Sequence, residues 1–336
     1  MIIGVIIVCY MSVDVIIGCL QSLIDSRNVT LRIIVTNNAS PDETAQIVCD
    51  WAKNQGIEFE EHMVGPELSP KLNTSTSVAL LNTTSNLGFA GGVNIGLRTL
   101  LKDRTVDFFW ILNPDCVVLP NTAQIFAAKL EALGPFSLMG GRILYHEAPR
   151  LIQSDGGRVN RWTGICSNVN QGLKSGDAPL PDIDSLDFIS GANVVVSRIF
   201  VETAGLMPEH YFLYYEEVDW AKRRGSLPLV ICPDAIVLHH GGTSIGTGSV
   251  NRRPSEFANY FNYRNLMRFM RRYEPNRLPI AFFYSFLKVV RLIFLQAWGE
   301  ADGAFRGLCS MKPPLAVLNR LTPEAAKMAF SKDPMK

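Results

Sequence analysis

The stretches that decide the fold class are IIGVIIVC (residues 2–9) and LRIIVT (residues 31–36). Both are apolar and rich in β-branched side chains, which is typical of buried strands. Residues 15–26, between them, have the apolar spacing of a helix, and residues 42–54 form a second predicted helix that Pro41 opens. This strand–helix alternation predicts a mostly parallel sheet with helices on its faces.

The downstream sequence continues the α/β pattern. We expect residues 54–82, which are polar and rich in Ser and Thr, to form a long excursion between sheet elements. A glycine-rich stretch at 86–96 should lead into a helix that ends near Lys102, and residues 108–112 should form another apolar strand. Residues 140–190 carry many Gly, Pro and Asp, which predicts antiparallel hairpins and loops.

Composition narrows the class of protein. Of the 336 residues 47% are hydrophobic, and 32 basic side chains nearly balance 31 acidic ones. Such a composition is typical of globular domains, and it gives no support for a nucleic-acid partner, which usually requires a basic excess. No Cys-x-x-Cys pair occurs among the seven cysteines, so we expect a reducing cytoplasm instead of a disulfide or zinc framework. The apolar start is not expected to be a signal peptide, because the first basic residue is Arg27.

A strand end supplies the first candidate ligand. The strand at 108–112 is followed by Asn113-Pro114-Asp115, where the proline ends the strand. Ligands of open α/β sheets collect beyond the carboxyl ends of the strands, where Asn37 also falls. A carboxylate there can hold Mg²⁺ or Mn²⁺, which commonly bridge to substrate phosphates. Taken alone, however, these residues favour a simple turn.

The glycine-rich stretch admits two interpretations. Residues 86–94 resemble a loop that cradles phosphate, in which a following helix offers free N–H groups. They do not form a Walker or G-x-G-x-x-G motif, so a flexible helix start explains them equally well.

Two further segments carry ionisable groups. Residues 214–220 contain Glu216, Glu217 and Asp219, one of which can serve as a general base. Alternatively, the three acids only complement the dipole of a helix start. His239 ends an apolar run, and a neutral imidazole is a common metal ligand, although a lone histidine is more often structural.

In their order, these segments resemble the family 2 glycosyltransferases, especially rhamnosyltransferase-like and galactofuranosyltransferase-like members. The resemblance covers roughly residues 1–270. The motifs that carry it are Val8-Cys9-Tyr10; Asn37-Asn38-Ala39-Ser40 with Asp42; Asn86-x-Gly88-Phe89-Ala90-Gly91-Gly92-x-Asn94; Leu112-Asn113-Pro114-Asp115; Ser190-Gly191-Ala192; Gly205-x-Met207; Phe212 through Trp220 with Arg223; and His239-x-Gly241-Gly242-x-Ser244.

The resemblance implies a fold and a domain layout. The fold is GT-A, an α/β, Rossmann-like arrangement with a mostly parallel central sheet, helices on both faces and a C-terminal helical segment. Residues 1–270 would form the catalytic domain, with 1–120 as the nucleotide-sugar half and 121–270 as the acceptor half. Residues 271–336 would be a helical tail.

The resemblance also implies roles for individual residues. Asp115 and His239 would hold a divalent metal, Mg²⁺ or Mn²⁺, and Glu217 would be the base of an inverting transfer. The family usually has Asp at the positions of Glu217 and Asn37. Because Glu217 departs from the family in this way, Glu216 or Asp219 stays open as the base. Donor contacts are expected at Val8, Cys9, Tyr10, Asn37, Asn86, Gly88, Phe89, Gly92, Asn94, Asn113 and Asp115. Acceptor contacts are expected at Gly191, Ala192, Glu216, Asp219 and Trp220.

The expected reaction moves a sugar from a nucleoside diphosphate to a hydroxyl of a cell-surface polysaccharide, such as O-antigen or cell wall, or of a lipid-linked glycan. The first donor expectation is dTDP-L-rhamnose, and the second is UDP-galactofuranose or another UDP-sugar. A sugar nucleotidyltransferase shares the nucleotide-binding layout, but its glycine-rich, Arg-containing signature is missing here. A non-catalytic scaffold that binds glycan or lipid is the alternative from another class.

Residues 278–298 are strongly apolar and aromatic. Their length would allow a membrane span, yet Lys288 and Arg291 would each cost about 2.5–3.5 kcal/mol at a bilayer centre. A helix lying on the inner face of the plasma membrane fits better, because upstream arginines attract anionic headgroups. The alternative is an ordinary packing helix or the contact of a homo-oligomer.

Overall fold

We describe the chain from a computed structural model, over residues 1–65, 68–241 and 253–330. The first half alternates strands with helices. Its elements are β1 (Ile2–Cys9), α1 (Ile16–Ile24), β2 (Thr30–Asn37), α2 (Thr44–Gln55), β3 (Phe59–Val64), β4 (Val78–Thr83), α3 (Gly88–Leu101) and β5 (Val106–Leu112).

Shorter strands follow, and the chain then becomes helical. The middle elements are β6 (Cys116–Val118), α4 (Thr122–Ala132), β7 (Leu138–Tyr145), β8 (Ile152–Ser154), β9 (Gly157–Val159), β10 (Cys166–Asn168), β11 (Asn193–Ser197), α5 (Arg198–Ala204), α6 (Glu216–Lys222) and β12 (Val230–His239). The last are α7 (Glu256–Tyr273), α8 (Leu278–Phe294), α9 (Trp298–Leu308), α10 (Leu315–Leu318) and α11 (Pro323–Ala329).

One large sheet organises the molecule. Its strands lie in the order β3-β4-β2-β1-β5-β11-β7-β12-β6, and β8 pairs with β7. The first five strands of this order are parallel, and β12 is parallel to β7. Between them β11 runs antiparallel to both β5 and β7. The predicted mostly parallel sheet is therefore confirmed, with one reversed strand at its centre.

Both faces of the sheet are covered, as predicted. Side chains of β1 alternate between two cores, because successive residues of a strand point to opposite faces. Ile6 and Val8 pack in the core that contains α3, whereas Ile7 and Cys9 pack in the core that contains α1 and α2. Burial on both faces explains why β1 is apolar throughout.

The predicted excursion at 54–82 is wrong, because the segment contains two strands of the sheet. β3 reads Phe-Glu-Glu-His-Met-Val and is half exposed, since it forms the edge of the sheet. Edge strands carry charged side chains, which hide the apolar periodicity of a strand. β4, next to it, is fully buried but only six residues long.

The glycine-rich stretch is part of α3 and does not precede it. Its glycines allow close packing: a Cβ on Gly92 would strike Val8, and a Cβ on Gly96 would strike Ile6. The N–H groups of Leu87 and Gly88 donate to side-chain oxygens of Asn38 and Asn86, each at 2.9 Å. These two N–H groups are therefore satisfied within the fold, and phosphate binding at this helix start stays one of the two interpretations.

The C-terminal helices pack on one another through small residues. Gly303 and Gly307 of α9 face the backbone of α7, where an added Cβ would collide with the carbonyls of Glu256 and Tyr260. α8 packs against α7 and α9 through a narrow stripe, Ala281, Ser285 and Val289. In the described ranges, no helix has both the length and the apolar character needed to cross a membrane.

Candidate active site

A cavity of about 480 Å³ opens at the edge of the sheet where β1, β5 and β12 end. β11 runs in the opposite direction, so its start reaches the same edge, and the N–H of Asn113 donates to the carbonyl of Ala192 (3.0 Å). Twelve of the eighteen predicted site residues line this cavity. They are Val8, Tyr10, Asn86, Gly88, Phe89, Asn113, Asp115, Gly191, Ala192, Glu216, Glu217 and His239.

Four predicted donor contacts lie outside the cavity lining. Cys9 points into the core on the opposite face of the sheet. The amide of Asn37 is buried and donates to Oδ1 of Asn82 (2.9 Å). Gly92 packs on Val8, and the amide of Asn94 donates to the carbonyl of Met207 (2.8 Å). Each of these four residues packs or hydrogen-bonds within the fold, and its contact with the donor stays a prediction.

Two predicted acceptor contacts are also directed elsewhere. Asp219 is fully buried and accepts from the hydroxyl of Tyr211 (2.9 Å) and from Nε of Arg223 (2.6 Å). Trp220 is buried and donates to the carbonyl of Gly205 (2.9 Å). Asp219 does not line the cavity, which leaves Glu216 and Glu217 as the acids of this segment that do.

Asp115 and His239 meet at the floor of the cavity. Oδ1 of Asp115 lies 3.1 Å from Nε2 of His239, and both side chains are buried. The other ring nitrogen of His239, Nδ1, lies 2.7 Å from Oε1 of Gln153. An amide oxygen only accepts, so the proton of a neutral His239 sits on Nδ1, and Nε2 turns its lone pair towards Asp115.

This pair fits a divalent cation. Two lone pairs that face each other at 3.1 Å repel, and a cation held between them would turn the repulsion into two ligand bonds. Burial alone would raise the pKa of Asp115, but a positive charge at His239 lowers that pKa, and a cation held between the two side chains would do the same. Cys116 lies close enough to be a third ligand. Burial raises the pKa of its thiol well above the usual range, which makes it a poor one.

Glu216 and Glu217 carry the second chemical function of the cavity. Burial raises the pKa of Glu217 to about 7. Burial, followed by the charge of Glu217, raises the pKa of Glu216 well above its usual range. Within the described chain, neither Oε2 atom has a hydrogen-bond partner. Two neighbouring carboxyls with raised pKa values, that of Glu217 about 7, suit proton transfer near neutral pH.

A comparison with protein families identifies the chain. Residues 4–171, half of its length, match the sequence model of glycosyl transferase family 2. The chain belongs to this family. The family predicted from the ordered motifs is therefore confirmed, and the match covers the β1-to-β10 part that contains Asp115.

Known proteins of similar sequence or structure agree with the family. A hexosyltransferase of low-salt glycan biosynthesis, Agl10 of Haloferax volcanii, is 22% identical over 252 residues, which cover 73% of this chain and 75% of the relative. A mannosyltransferase from Pyrobaculum calidifontis, solved with GDP-Man and Mn²⁺, has a TM-score of 0.51 at 14% identity, covering 98% of this chain and 83% of that one.

A second similar structure is GalNAc-T7 with UDP, GalNAc and Mn²⁺. It has a TM-score of 0.57 at 13% identity, with 80% of this chain and 47% of that one covered. At such identities the two structures bear on the fold alone. That fold is GT-A, as the sequence predicted.

Several residues of this family 2 cavity were missed from the sequence. Asn38 bonds to Asn86 and to the carbonyl of Gly88, and it lines the cavity one position beyond the predicted Asn37. Gln153 lies on β8 without any motif around it. Phe257 lies on α7 and Arg320 follows α10, and both reach the cavity only through tertiary packing. Gly242 and Ser244, which belong to the last motif, lie outside the described residues.

Proposed function

We propose that this chain is a metal-dependent, inverting hexosyltransferase that uses a nucleoside diphosphate sugar. One observation carries the proposal: a carboxylate–imidazole pair of Asp115 and His239 and the neighbouring carboxyls of Glu216 and Glu217 line the same cavity. The first pair suits a cation on a diphosphate, and the second suits a base. A non-catalytic binding scaffold would need neither a cation site nor a base.

Each residue then has a separate task. Glu217, with its pKa near 7, accepts the proton of the acceptor hydroxyl as that oxygen attacks the anomeric carbon. The nucleotide diphosphate leaves from the opposite face of the sugar, so the configuration inverts. Asp115 and His239 hold the metal, which when bound would stabilise negative charge on the leaving diphosphate. Gln153 keeps His239 in the ligating tautomer.

Mn²⁺ is the proposed metal in preference to Mg²⁺. Mg²⁺ prefers an all-oxygen octahedral shell, whereas an imidazole ligand is better tolerated by a transition metal. The two similar structures solved with Mn²⁺ are in keeping with this choice.

The proposed donor is dTDP-L-rhamnose, with UDP-galactofuranose as the competing donor. Hexosyl transfer is in keeping with the name of the Haloferax relative, and nucleotide-linked sugars are the ligands named for the solved structures. The proposed acceptor is a hydroxyl of a cell-surface polysaccharide or lipid-linked glycan. We further propose that α8 brings the enzyme to the inner face of the membrane on which such acceptors are anchored.

A donor panel tests the proposal. Release of nucleoside diphosphate is measured for dTDP-L-rhamnose, UDP-galactofuranose, UDP-glucose and GDP-mannose, each with Mn²⁺, with Mg²⁺ and with EDTA. We expect one donor to dominate, Mn²⁺ to exceed Mg²⁺, and EDTA to abolish release. Asp115→Ala should lose both turnover and metal-dependent nucleotide binding. Nucleotide binding without transfer or hydrolysis of any donor would instead favour a scaffold.

A further inference from the structure

The four residues before α6, Phe212 to Tyr215, have an unusual backbone. Phe212, Tyr214 and Tyr215 have φ angles of +65°, +67° and +72°. Bulky side chains rarely adopt this left-handed region, and they keep it only where the surroundings hold it in place. Because Tyr215 directly precedes α6, its conformation sets the direction in which Glu216 and Glu217 leave the segment.

A single amide on α7 holds this segment. Asn265 is fully buried, and its Nδ2 donates to the carbonyls of Tyr211 (2.9 Å), Leu213 (2.6 Å) and Tyr214 (3.2 Å). Its neighbour Arg264 donates from Nη2 to the same Tyr211 carbonyl (2.9 Å). The turning carbonyls therefore point at α7 and not at one another.

The segment is also held from the opposite side. The N–H of Phe89, at the start of α3, donates to the carbonyl of Phe212 (2.9 Å). Gly88 leaves room for that approach, since a Cβ there would collide with the Phe212 carbonyl. The hydroxyl of Tyr215 donates to the carbonyl of Gly164 (2.9 Å). Three parts of the chain thus fix four residues, and Asn265 makes the largest number of these bonds.

We propose that Asn265 is a positioning residue, whose amide holds Phe212–Tyr215 in the left-handed conformation that presents Glu217 to the cavity. This inference rests on the proposed role of Glu217 as the base. Asn265 does not touch the cavity, so it acts only through the segment that it binds. An apolar side chain of similar size would fill the space, yet it would take this donor away from the carbonyls of Leu213 and Tyr214, whereas the Tyr211 carbonyl would keep Arg264.

Asn265→Asp tests the amide with almost no change in size, because a carboxylate accepts hydrogen bonds and donates none. We expect kcat per donor-binding site to fall about 10- to 100-fold, the loss typical of a misplaced catalytic group. The donor KM and the number of donor sites per chain, measured by calorimetry, should stay near the wild-type values. The acid limb of the pH–rate profile should move to lower pH, because water reaches Glu217.

Asn259→Asp is the matched control. Asn259 is also buried on α7, but its amide donates to the carbonyls of Pro254 and Ser255 at the start of the same helix. This variant should lower the melting temperature and leave kcat per donor site unchanged. Asn265→Ala, which admits water to the three carbonyls, is measured alongside in case the buried carboxylate prevents folding.

Two outcomes would overturn the proposal. One is an unchanged kcat per donor site in both Asn265 variants. The other is a loss of activity that only matches a loss of donor sites, since that is the behaviour of a purely structural residue. Hydrogen exchange gives a readout without activity: amides 213–219 should exchange faster in Asn265→Ala than in the control. If wild-type protein transferred no sugar, the proposed function would fail. The exchange comparison would still test whether Asn265 holds the Phe212–Tyr215 segment.

Discussion

At the scale of single residues, Glu217 gives the sharpest prediction. Glu217→Gln should lower kcat by about 10²- to 10⁴-fold with little effect on donor binding, because the amide cannot accept the acceptor proton. Wild-type activity should fall as the pH drops below about 7, since burial raises the pKa of Glu217 to about 7 and the base must be ionised. Steady-state kinetics between pH 5.5 and 9 measure both effects.

Glu216 serves as the comparison for that variant. Burial and the charge of Glu217 raise the pKa of Glu216 well above its usual range, so Glu216→Gln removes less negative charge than Glu217→Gln does. We expect a smaller loss than in Glu217→Gln. If Glu216→Gln were the more damaging of the two, the base would be Glu216.

A substitution of Gln153 tests the proposed metal site of Asp115 and His239 without removing either ligand. Gln153→Leu takes away the acceptor that orients His239, and such a change typically costs 10- to 100-fold in metal affinity. The Mn²⁺ concentration for half-maximal activity should rise by about that factor, while kcat at saturating Mn²⁺ changes less. An unchanged Mn²⁺ requirement would remove His239 from the metal site.

At the scale of elements, the contact between α7 and α9 depends on glycine. Gly307→Ala would push a Cβ into the carbonyl of Tyr260, and overpacking of this kind costs about 1–3 kcal/mol. Urea denaturation should show a lower midpoint. Gly18→Ala on α1 is the control: its Cβ would meet no atom within 4 Å, and alanine is the better helix former by about 1 kcal/mol. Its midpoint should not fall.

The sequence predicted those elements whose pattern is local. β1 and β2 are buried on both faces, so their apolar runs are continuous, and α1 between them has the apolar spacing of a helix. β3 was missed because an edge strand is half exposed. The sequence left the glycines of α3 open between a phosphate loop and a flexible helix start, since it does not show that Val8 and Ile6 lie against them.

The candidate site likewise contains some residues that the sequence predicted and others that it did not. Asp115, Glu217 and His239 were predicted because they stand in ordered motifs. Gln153 and Asn265 were not, because each acts through a side chain or carbonyl that is distant along the chain. Asn265 is 52 residues from Leu213, and no local pattern encodes such a pairing.

At the scale of the whole molecule, the candidate site is built both by the edge of the sheet where β1, β5 and β12 end and by the C-terminal helices. Asp115 and His239, the proposed metal ligands, lie at the ends of β5 and β12. The Phe212–Tyr215 segment before α6 is held by α7. Phe257 and Arg320 extend the cavity wall from the helical region. The helices after residue 253 therefore support the candidate site, and α8 is the one whose surface is left largely unexplained.

α8 buries only Ala281, Ser285 and Val289, and apart from Lys288 and Arg291 the rest of its surface is mostly apolar and aromatic. Phe283 and Phe294 are 64% and 83% exposed, and residues 278–298 contain Lys288 and Arg291 but no acid. An amphipathic surface with basic residues suits an anionic bilayer surface. We therefore expect the protein to float with phosphatidylglycerol vesicles, less with phosphatidylcholine vesicles, and less at high salt.

Substitutions on α8 make this membrane prediction quantitative. Burying one phenylalanine contributes about 1.5–3 kcal/mol, so Phe283→Ser and Phe294→Ser should each weaken vesicle binding on the order of tenfold. Leu180→Ser is the control, because Leu180 is 76% exposed but lies in a loop far along the chain from α8. Equal binding by all variants would exclude α8 as the membrane contact. Vesicle-independent self-association that the two α8 variants abolish would instead assign this surface to a homo-oligomer.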